Sequence, residues 1–80
     1  MSATLQPGHH EILINYTVAE DTDATFYAYD LAGRLLGFAV HASLSKGEYN
    51  ETMALKNQPV NGIVMLTMVV GDRTEVIKVS

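Results

Sequence analysis

The residues best suited to catalysis or metal binding are three histidines and a short acidic segment, residues 19–23. His9 and His10 are adjacent, so on a strand their side chains would point to opposite faces and could not share one metal ion. Glu11 could join His9 on one face, but two ligands are too few for a metal site. The spacing therefore predicts an exposed polar strand start. His41, beside Val40, is predicted to be a half-buried structural residue.

The acidic segment could in principle hold Ca²⁺, which takes about six to eight oxygen ligands. Glu20, Asp21 and Asp23 supply carboxylates, but their order differs from that of an EF-hand loop and the segment has no glycine. A solvated turn is therefore the favoured interpretation. The serines lie in predicted turns or at the termini, where no Ser-His-Asp set has a workable spacing. The sequence predicts a protein that is not an enzyme and carries no metal or cofactor.

Length, composition and charge limit the class of protein to which this chain can belong. Eighty residues correspond to one small domain, and a 48% hydrophobic content rich in Val, Ile, Leu, Thr and Tyr is typical of a β-protein. A net charge of −4 with only five Lys and Arg argues against a nucleic-acid-binding surface. The absence of cysteine excludes disulfides and thiolate metal sites. No apolar run is long enough to span a membrane, and without a signal-peptide pattern we expect any export signal to lie upstream.

Short alternating segments separated by turn residues predict about seven strands. The predicted strands are residues 9–18, 24–30, 35–42, 48–55, 63–70 and 73–79, after a polar lead-in, residues 1–8, with room for one short edge strand. No segment has a sustained helical period. The predicted fold class is all-β, an immunoglobulin/fibronectin-like antiparallel β-sandwich, in a single domain of residues 1–80 with residues 1–8 as lead-in or linker.

The alternation also predicts which side chains face the core. The inward set is Ile12, Ile14, Tyr16, Val18, Leu36, Phe38, Val40, Tyr49, Met53 and Leu55, with Glu51 as a misplaced charge. In residues 24–30 the alternation does not rank the two faces. Residues 63–70 are apolar on both faces, which predicts a central strand buried between two layers.

The tyrosines have two interpretations. Tyr16, Tyr27, Tyr29 and Tyr49 could form a platform for a carbohydrate or peptide, or their rings could fill the rim of the core while the hydroxyls reach water. Packing is the favoured interpretation, because each tyrosine lies on an alternating strand. Met53, Met65 and Met68 are likewise predicted to fill the core.

Two connections carry clear turn signals. Asp30 and Gly33 separate two apolar runs; the Asp side chain can accept a hydrogen bond from the backbone two residues on, and Gly supplies positive φ. Gly71 and Asp72 separate the last two strands, which predicts a two-residue turn with glycine first. Both signals predict β-hairpins.

Several of these segments carry a family resemblance. Tyr29-Asp30-Leu31-Ala32-Gly33-Arg34-Leu35 resembles the Y-D-x-x-G-R-x hairpin of C-terminal sorting domains of the Bacteroidetes type IX secretion system, which related flagellar-hook-cap immunoglobulin-like modules share. Leu55 and residues 59–64 resemble the L-P-x-G-x-Y motif of these domains, with an extra residue before Gly62 and Val64 in place of the aromatic. Residues 71–79 resemble their terminal G-D-x-x-x-x-x-K-x-x strand. The likeness covers residues 5–80 in order.

The resemblance implies a function. Such domains are secretion signals that the type IX outer-membrane components recognise, and a sortase-like protease then often joins the cargo to anionic lipopolysaccharide. It implies export through the periplasm to the outer membrane and cell surface, or secretion, with any cleavage at or before residues 1–6. The family motif positions, taken as recognition residues, are Gly33, Gly62, Gly71, Asp72 and Lys78. The family pattern also places Ala24, Phe26 and Ala28 inward, which leaves Tyr27 on a solvent-facing sheet surface.

Two other functions stay open. One is a fibronectin-like accessory module that binds carbohydrate or protein without a sorting role, and the other is a structural assembly unit like the hook-cap modules. Arg73, Glu75 and Lys78 in the last strand could keep a sheet edge from pairing, or mark an edge to which a receptor adds a strand. Unpaired edges would also permit a homodimer of the isolated domain.

Overall fold

The alternating segments fold as strands in the computed structural model, which describes residues 1–8 and 10–80. The described residues form seven strands, in the order β1 (Ser2–Leu5), β2 (Glu11–Val18), β3 (Thr22–Asp30), β4 (Leu35–Leu44), β5 (Gly47–Ala54), β6 (Val64–Val70) and β7 (Arg73–Val79). Within this part of the chain the only helical segment is a 3₁₀ turn, Val60–Gly62, and no helix could cross a membrane. The short edge strand allowed for in the lead-in is β1, and His9, predicted to open the next strand, lies outside the described residues.

The strands form two antiparallel sheets that pack face to face. One sheet has the order β1-β2-β5 and the other β4-β3-β6-β7. The chain crosses from one sheet to the other after β2, after β4 and after β5, as in Greek-key sandwiches. The predicted fold class, an all-β immunoglobulin/fibronectin-like sandwich, is confirmed.

The core lies between the sheets and is built from alternate residues of the strands. The buried apolar residues are Ile12, Ile14, Tyr16, Val18, Ala24, Phe26, Ala28, Leu36, Met53, Leu55, Val64, Leu66, Met68 and Val79. The inward set predicted for β2 is confirmed, and so is the inward placement of Ala24, Phe26 and Ala28. Burial of these side chains supplies most of the driving force for folding, since apolar area removed from water is the main favourable contribution.

The prediction for β4 is wrong for two of its three inward residues. Leu36 is buried, but Phe38 is 57% exposed and Val40 is 60% exposed. Tyr29 pairs with Leu35 while Ala28 pairs with Gly37, so Leu36 is an extra residue in a β-bulge. The bulge inverts the alternation, because one inserted residue exchanges the two faces of the strand beyond it. Beyond Leu36 the inward positions are therefore Gly37, Ala39 and His41, the partners of Ala28, Phe26 and Ala24.

The prediction that residues 63–70 are buried between two layers is also wrong. β6 is central within its sheet, between β3 and β7, but only one of its faces meets the other sheet. Val64, Leu66 and Met68 are buried, whereas Met65, Thr67 and Val69 are half-exposed on the opposite face. Met53 and Met68 fill the core as predicted, but Met65 does not.

Candidate functional site

Glu51, the misplaced charge of its strand, faces His41 across the two sheets. His41 on β4 points inward, and its Nε2 atom contacts Oε1 of Glu51 on β5. The Glu51 side chain is only 14% exposed, and its Oε2 atom has no hydrogen-bond partner among the described residues. The His41 ring also meets the edge of Phe26, with ring centroids 6.3 Å apart. The pair links the two sheets at one side of the sandwich, and His41 is half-buried, as the sequence predicts.

Two of the tyrosines belong to the core and its rim. Tyr16 stacks on Tyr49 with ring centroids 5.4 Å apart, and it meets Phe26 edge to face at 4.8 Å. The Tyr49 hydroxyl donates a hydrogen bond to the carbonyl oxygen of Ser45 at 2.5 Å. Burial raises the pKa of Tyr16, and the charges of Glu51 and Tyr49 raise it further. Packing is therefore the role of Tyr16 and Tyr49, and the Tyr16 hydroxyl keeps its proton at neutral pH.

The acidic segment holds a neighbouring loop in place. Asp23 Oδ1 accepts a hydrogen bond from the backbone N–H of Ser43 at 2.8 Å, and Asp21 Oδ1 accepts one from Lys46 at 3.0 Å. Ser43 has φ of 57°, a left-handed conformation that is uncommon for a residue with a side chain. These carboxylates therefore fix the β4–β5 connection. In residues 1–8 and 10–80 no three His, Cys, Asp or Glu side chains cluster closely enough to hold a metal ion.

The β3–β4 turn is organised around a buried carboxylate. Asp30 is 2% exposed, and its Oδ1 atom accepts hydrogen bonds from the backbone N–H groups of Ala32 and Arg34, each at 3.0 Å. The Arg34 side chain donates from Nε to Asp30 Oδ2 at 2.8 Å. Gly33 has φ of 84° and donates its N–H to the Asp30 carbonyl at 3.0 Å. The predicted hydrogen bond from the residue two along and the positive φ at Gly33 are both confirmed.

The charge state of Asp30 follows from these contacts. Burial alone would raise the pKa of this carboxyl group, because it disfavours the charged form. The hydrogen bonds from Arg34 and Ala32, together with the positive charge of Arg34, outweigh burial and hold the pKa of Asp30 below its usual value. The turn therefore contains an ionised carboxylate at neutral pH.

Arg34 extends this unit to two further loops. Its Nη2 atom donates to the carbonyl oxygen of Gln58 at 3.3 Å, and Gln58 Nε2 donates to the carbonyl oxygen of Gly8 at 3.2 Å. The segment before β2, the β3–β4 turn and the β5–β6 loop are therefore joined at one end of the sandwich. We call Asp30, Arg34 and Gln58 the end cluster.

The five predicted recognition positions lie at two ends of the four-stranded sheet. Gly33 and Gly62 are near the end cluster, and Lys78 is exposed on β7 opposite Met65, close to the same end. Gly71 and Asp72 form the β6–β7 turn at the other end, roughly 20 Å away along β6 at about 3.4 Å per residue. Gly71 has φ of 59°, which confirms the predicted turn with glycine first. The structure does not bring these five positions into one site.

Gly71 and Asp72 border a cleft of about 450 Å³ between the β2–β3 and β6–β7 turns. Met68 and Val70 lie in its apolar lining, and Glu20, Arg73 and Glu75 are among its charged residues. The amino group of Met1 lies 3.7 Å from Oε1 of Glu75. The mixture of charges gives the cleft no set of groups typical of a catalytic or metal site.

One face of the four-stranded sheet is an exposed apolar surface. We call it the outer face, and it contains Tyr27, Tyr29, Leu35, Phe38, Val40, Met65, Val69 and Val76. Phe38, Val40 and Val76 are each more than half exposed, at 57%, 60% and 54%. Soluble proteins tend to avoid large exposed apolar patches. The largest patch on a monomer, typically about 300–600 Å², is often functional. The outer face is therefore the candidate binding surface.

The centre of the outer face is aromatic. Tyr27 and Tyr29 stack with ring centroids 6.4 Å apart, and Tyr27 pairs with Phe38 on β4 and Thr67 on β6. The predicted placement of Tyr27 on a solvent-facing sheet surface agrees with this arrangement. The interpretation of all four tyrosines as rim packing is correct for Tyr16 and Tyr49 only. The sequence does contain one sign that the faces of β4 change, because a glycine inside an apolar strand, such as Gly37, often marks a bulge.

The fold defines the chain as an immunoglobulin/fibronectin-like sandwich with an exposed aromatic sheet face. Comparisons with protein-family models, with curated proteins and with solved structures gave no match to this chain.

Proposed function

We propose that this chain is a C-terminal sorting domain of the type IX secretion system. In this role the folded domain is recognised by outer-membrane components of the pathway, and it directs a cargo protein to the cell surface, where a sortase-like protease acts on it. The observation that supports the proposal most directly is the end cluster. It joins the hairpin that resembles the family motif to the loop that resembles the L-P-x-G motif, through the hydrogen bond from Arg34 to Gln58.

A receptor can recognise a folded sorting domain only if every copy of the domain presents the same surface. The Asp30 carboxylate fixes the β3–β4 turn by accepting three hydrogen bonds, two of them from Arg34, and buried charge-assisted hydrogen bonds hold a loop more rigidly than neutral ones. Lys78 lies beyond this rigid end on the edge strand β7, exposed and without an ion-pair partner among the described residues. In the proposal Lys78 contacts the receptor, while the glycines set turn geometry.

The direct test is export of a reporter fused upstream of residues 1–80 in a bacterium that has type IX secretion. We expect the reporter at the cell surface or in the medium. Lys78→Ala should reduce export several-fold and leave thermal stability unchanged, because the side chain is exposed. Lys46→Ala is the matched control, since Lys46 is an exposed lysine whose hydrogen bond to Asp21 uses only its backbone N–H. A wild-type fusion that stays in the periplasm would refute the sorting function.

The outer face favours a second candidate function, an accessory module that binds carbohydrate. Flat aromatic surfaces stack on sugar rings through their apolar faces, and Phe38, Tyr27 and Tyr29 form such a surface here. In a native gel that contains a polysaccharide, such as an insoluble-glucan fragment, binding slows the migration of the protein. Phe38→Ser should abolish this retardation. Leu31→Ser is the control, because Leu31 is similarly exposed, at 52%, but lies in the β3–β4 turn. Equal migration of wild type and Phe38→Ser in every polysaccharide would exclude this function.

A further inference from the structure

The four sheet edges differ in how well they are protected from pairing with another chain. β1 is short, with four residues, and both β5 and β7 carry charged side chains, which disfavour edge-to-edge pairing. β4 is ten residues long, and none of its residues is Asp, Glu, Lys or Arg. Its histidine, His41, points inward onto Glu51. A long, apolar, uncharged edge is the kind that pairs with another strand.

The direction of the backbone groups shows which residues of β4 are free to pair. Asp30 donates its N–H to the Arg34 carbonyl, so the backbone groups of Asp30 point toward β4. Because this direction alternates along a strand, Ala28, Phe26 and Ala24 also bond to β4, through their partners Gly37, Ala39 and His41.

The residues between those partners are Phe38 and Val40, and their N–H and C=O groups point away from β3. Ala42 follows His41, where a second register shift separates the Ala24–His41 pair from the Thr22–Leu44 pair. The carbonyl of Leu36 points the same way, since it accepts a hydrogen bond from the N–H of Lys56 at 2.8 Å. The described residues provide no strand on this side of β4. The side chains of Phe38, Val40 and Ala42 are all exposed, so at Phe38 and Val40 both the backbone and the side chain are available to a partner.

We propose that β4 pairs antiparallel with β4 of a second copy of this chain, about a two-fold axis at Val40. In this register Val40 lies opposite Val40 of the second copy, and Phe38 lies opposite Ala42 in both directions. In this register each is a hydrogen-bonded pair, so the two strands exchange about six backbone hydrogen bonds; about four of them require Ala42 to turn its N–H and C=O away from β3, as Val40 does. The pairing joins two four-stranded sheets into one and makes the two outer faces continuous.

A second copy fits this edge better than an unrelated strand because the edge is self-complementary. The large Phe38 side chain meets the small Ala42 twice, and no charge on β4 opposes its own copy. The rest of the molecule works against association, since each chain has a net charge of −4. Salt screens that repulsion, so the dimer should tighten as ionic strength rises. One strand pair and its flanking side chains place the interface near the small end of the specific range, about 1,000 Å², and predict a weak dimer.

Sedimentation of the full chain across a wide concentration range tests the proposal. Val40→Lys would place two ammonium groups against each other at the two-fold axis, and we expect the dissociation constant to rise about tenfold or more. Val76→Lys is the matched control, because Val76 is exposed to a similar degree on the same sheet face but at the opposite edge, on β7. A wild-type monomer at every concentration, or an equal effect of both variants, would overturn the proposal.

Crosslinking tests the register directly. The chain has no cysteine, so Val40→Cys introduces a single thiol. Hydrogen-bonded partners in an antiparallel pair have Cα atoms about 5.5 Å apart, which a disulfide can span. We expect Val40→Cys to form a disulfide-linked dimer under mild oxidation, at a rate well above that of Val76→Cys. Equal rates, or no dimer from Val40→Cys, would rule out a two-fold axis at Val40.

Discussion

At the scale of single residues, the informative side chains are the polar ones that face inward or lie in turns. Asp30, buried in the β3–β4 turn, accepts hydrogen bonds from two backbone N–H groups and from Arg34. Glu51 meets His41 between the sheets, and Asp21 and Asp23 hold the β4–β5 connection. Each group could have been interpreted as catalytic or metal-binding from residue type alone. Their contacts instead give each a defined role in positioning the backbone.

The charge of Asp30 predicts how stability depends on pH. Because its pKa is lowered in the folded state, its contribution is fully present above the unfolded value, about 3.9, and is lost as pH falls through the lower folded value. Asp30→Asn keeps one acceptor oxygen but loses the charge and the second acceptor. Its melting temperature should lie several degrees below that of the wild type at neutral pH, and the difference should shrink toward pH 2.

Thermal unfolding followed by circular dichroism between about pH 2 and pH 7 would measure this effect. Asp72→Asn is the control, because Asp72 is an exposed carboxylate in the β6–β7 turn. If the melting temperature of Asp30→Asn runs parallel to that of the wild type throughout, the lowered pKa of Asp30 does not contribute to stability.

At the scale of strands, much of the fold follows from the sequence and one element does not. The alternation in residues 12–18 and the glycine turns at Gly33 and Gly71 predict strands, faces and hairpins that the structure contains. In β4 the same reasoning fails, because the bulge at Leu36 in the pairing with β3 interrupts the alternation, and Gly37 is the one local sign of it. The exposed outer face was missed for the same reason, since Phe38 and Val40 were assigned to the core.

The bulge predicts that Gly37 does not tolerate a side chain. A Cβ atom at this position would lie 2.9 Å from the Ala54 carbonyl oxygen and 3.3 Å from Met53 Sδ, and the backbone oxygen cannot move without shifting β5. Gly37→Ala should therefore lower the free energy of unfolding by about 1–3 kcal/mol. Chemical denaturation in dilute solution measures this change.

Ala42→Val is the control for this variant, because it adds volume at an exposed position of the same strand and should change stability by less than about 0.5 kcal/mol. A Gly37→Ala protein as stable as the wild type would show that β4 and β5 can separate at this point without cost.

At the scale of the whole molecule, the proposed export contact and the proposed self-association lie at opposite edges of the four-stranded sheet. The sandwich measures 35 × 22 × 17 Å, and Lys78 is on the edge strand β7 while the free edge of β4 is at the other side of the same sheet, with the outer face between them. Lys78→Ala and Val40→Lys therefore test export and self-association separately. A domain in which both hold would display two copies of its export surface, since pairing through β4 leaves β7 uncovered.

The extra residue in β4 also bears on how this domain could evolve. Deleting Leu36 would bring Gly37 directly after Leu35 in an unbroken alternation, and the pairs with β3 would keep Phe38 and Val40 on the outer face. The exposure of these two side chains is therefore set by the register with β3 and not by the extra residue itself. A descendant could lose the bulge, and with it the buried Leu36 side chain, and still present the same apolar surface.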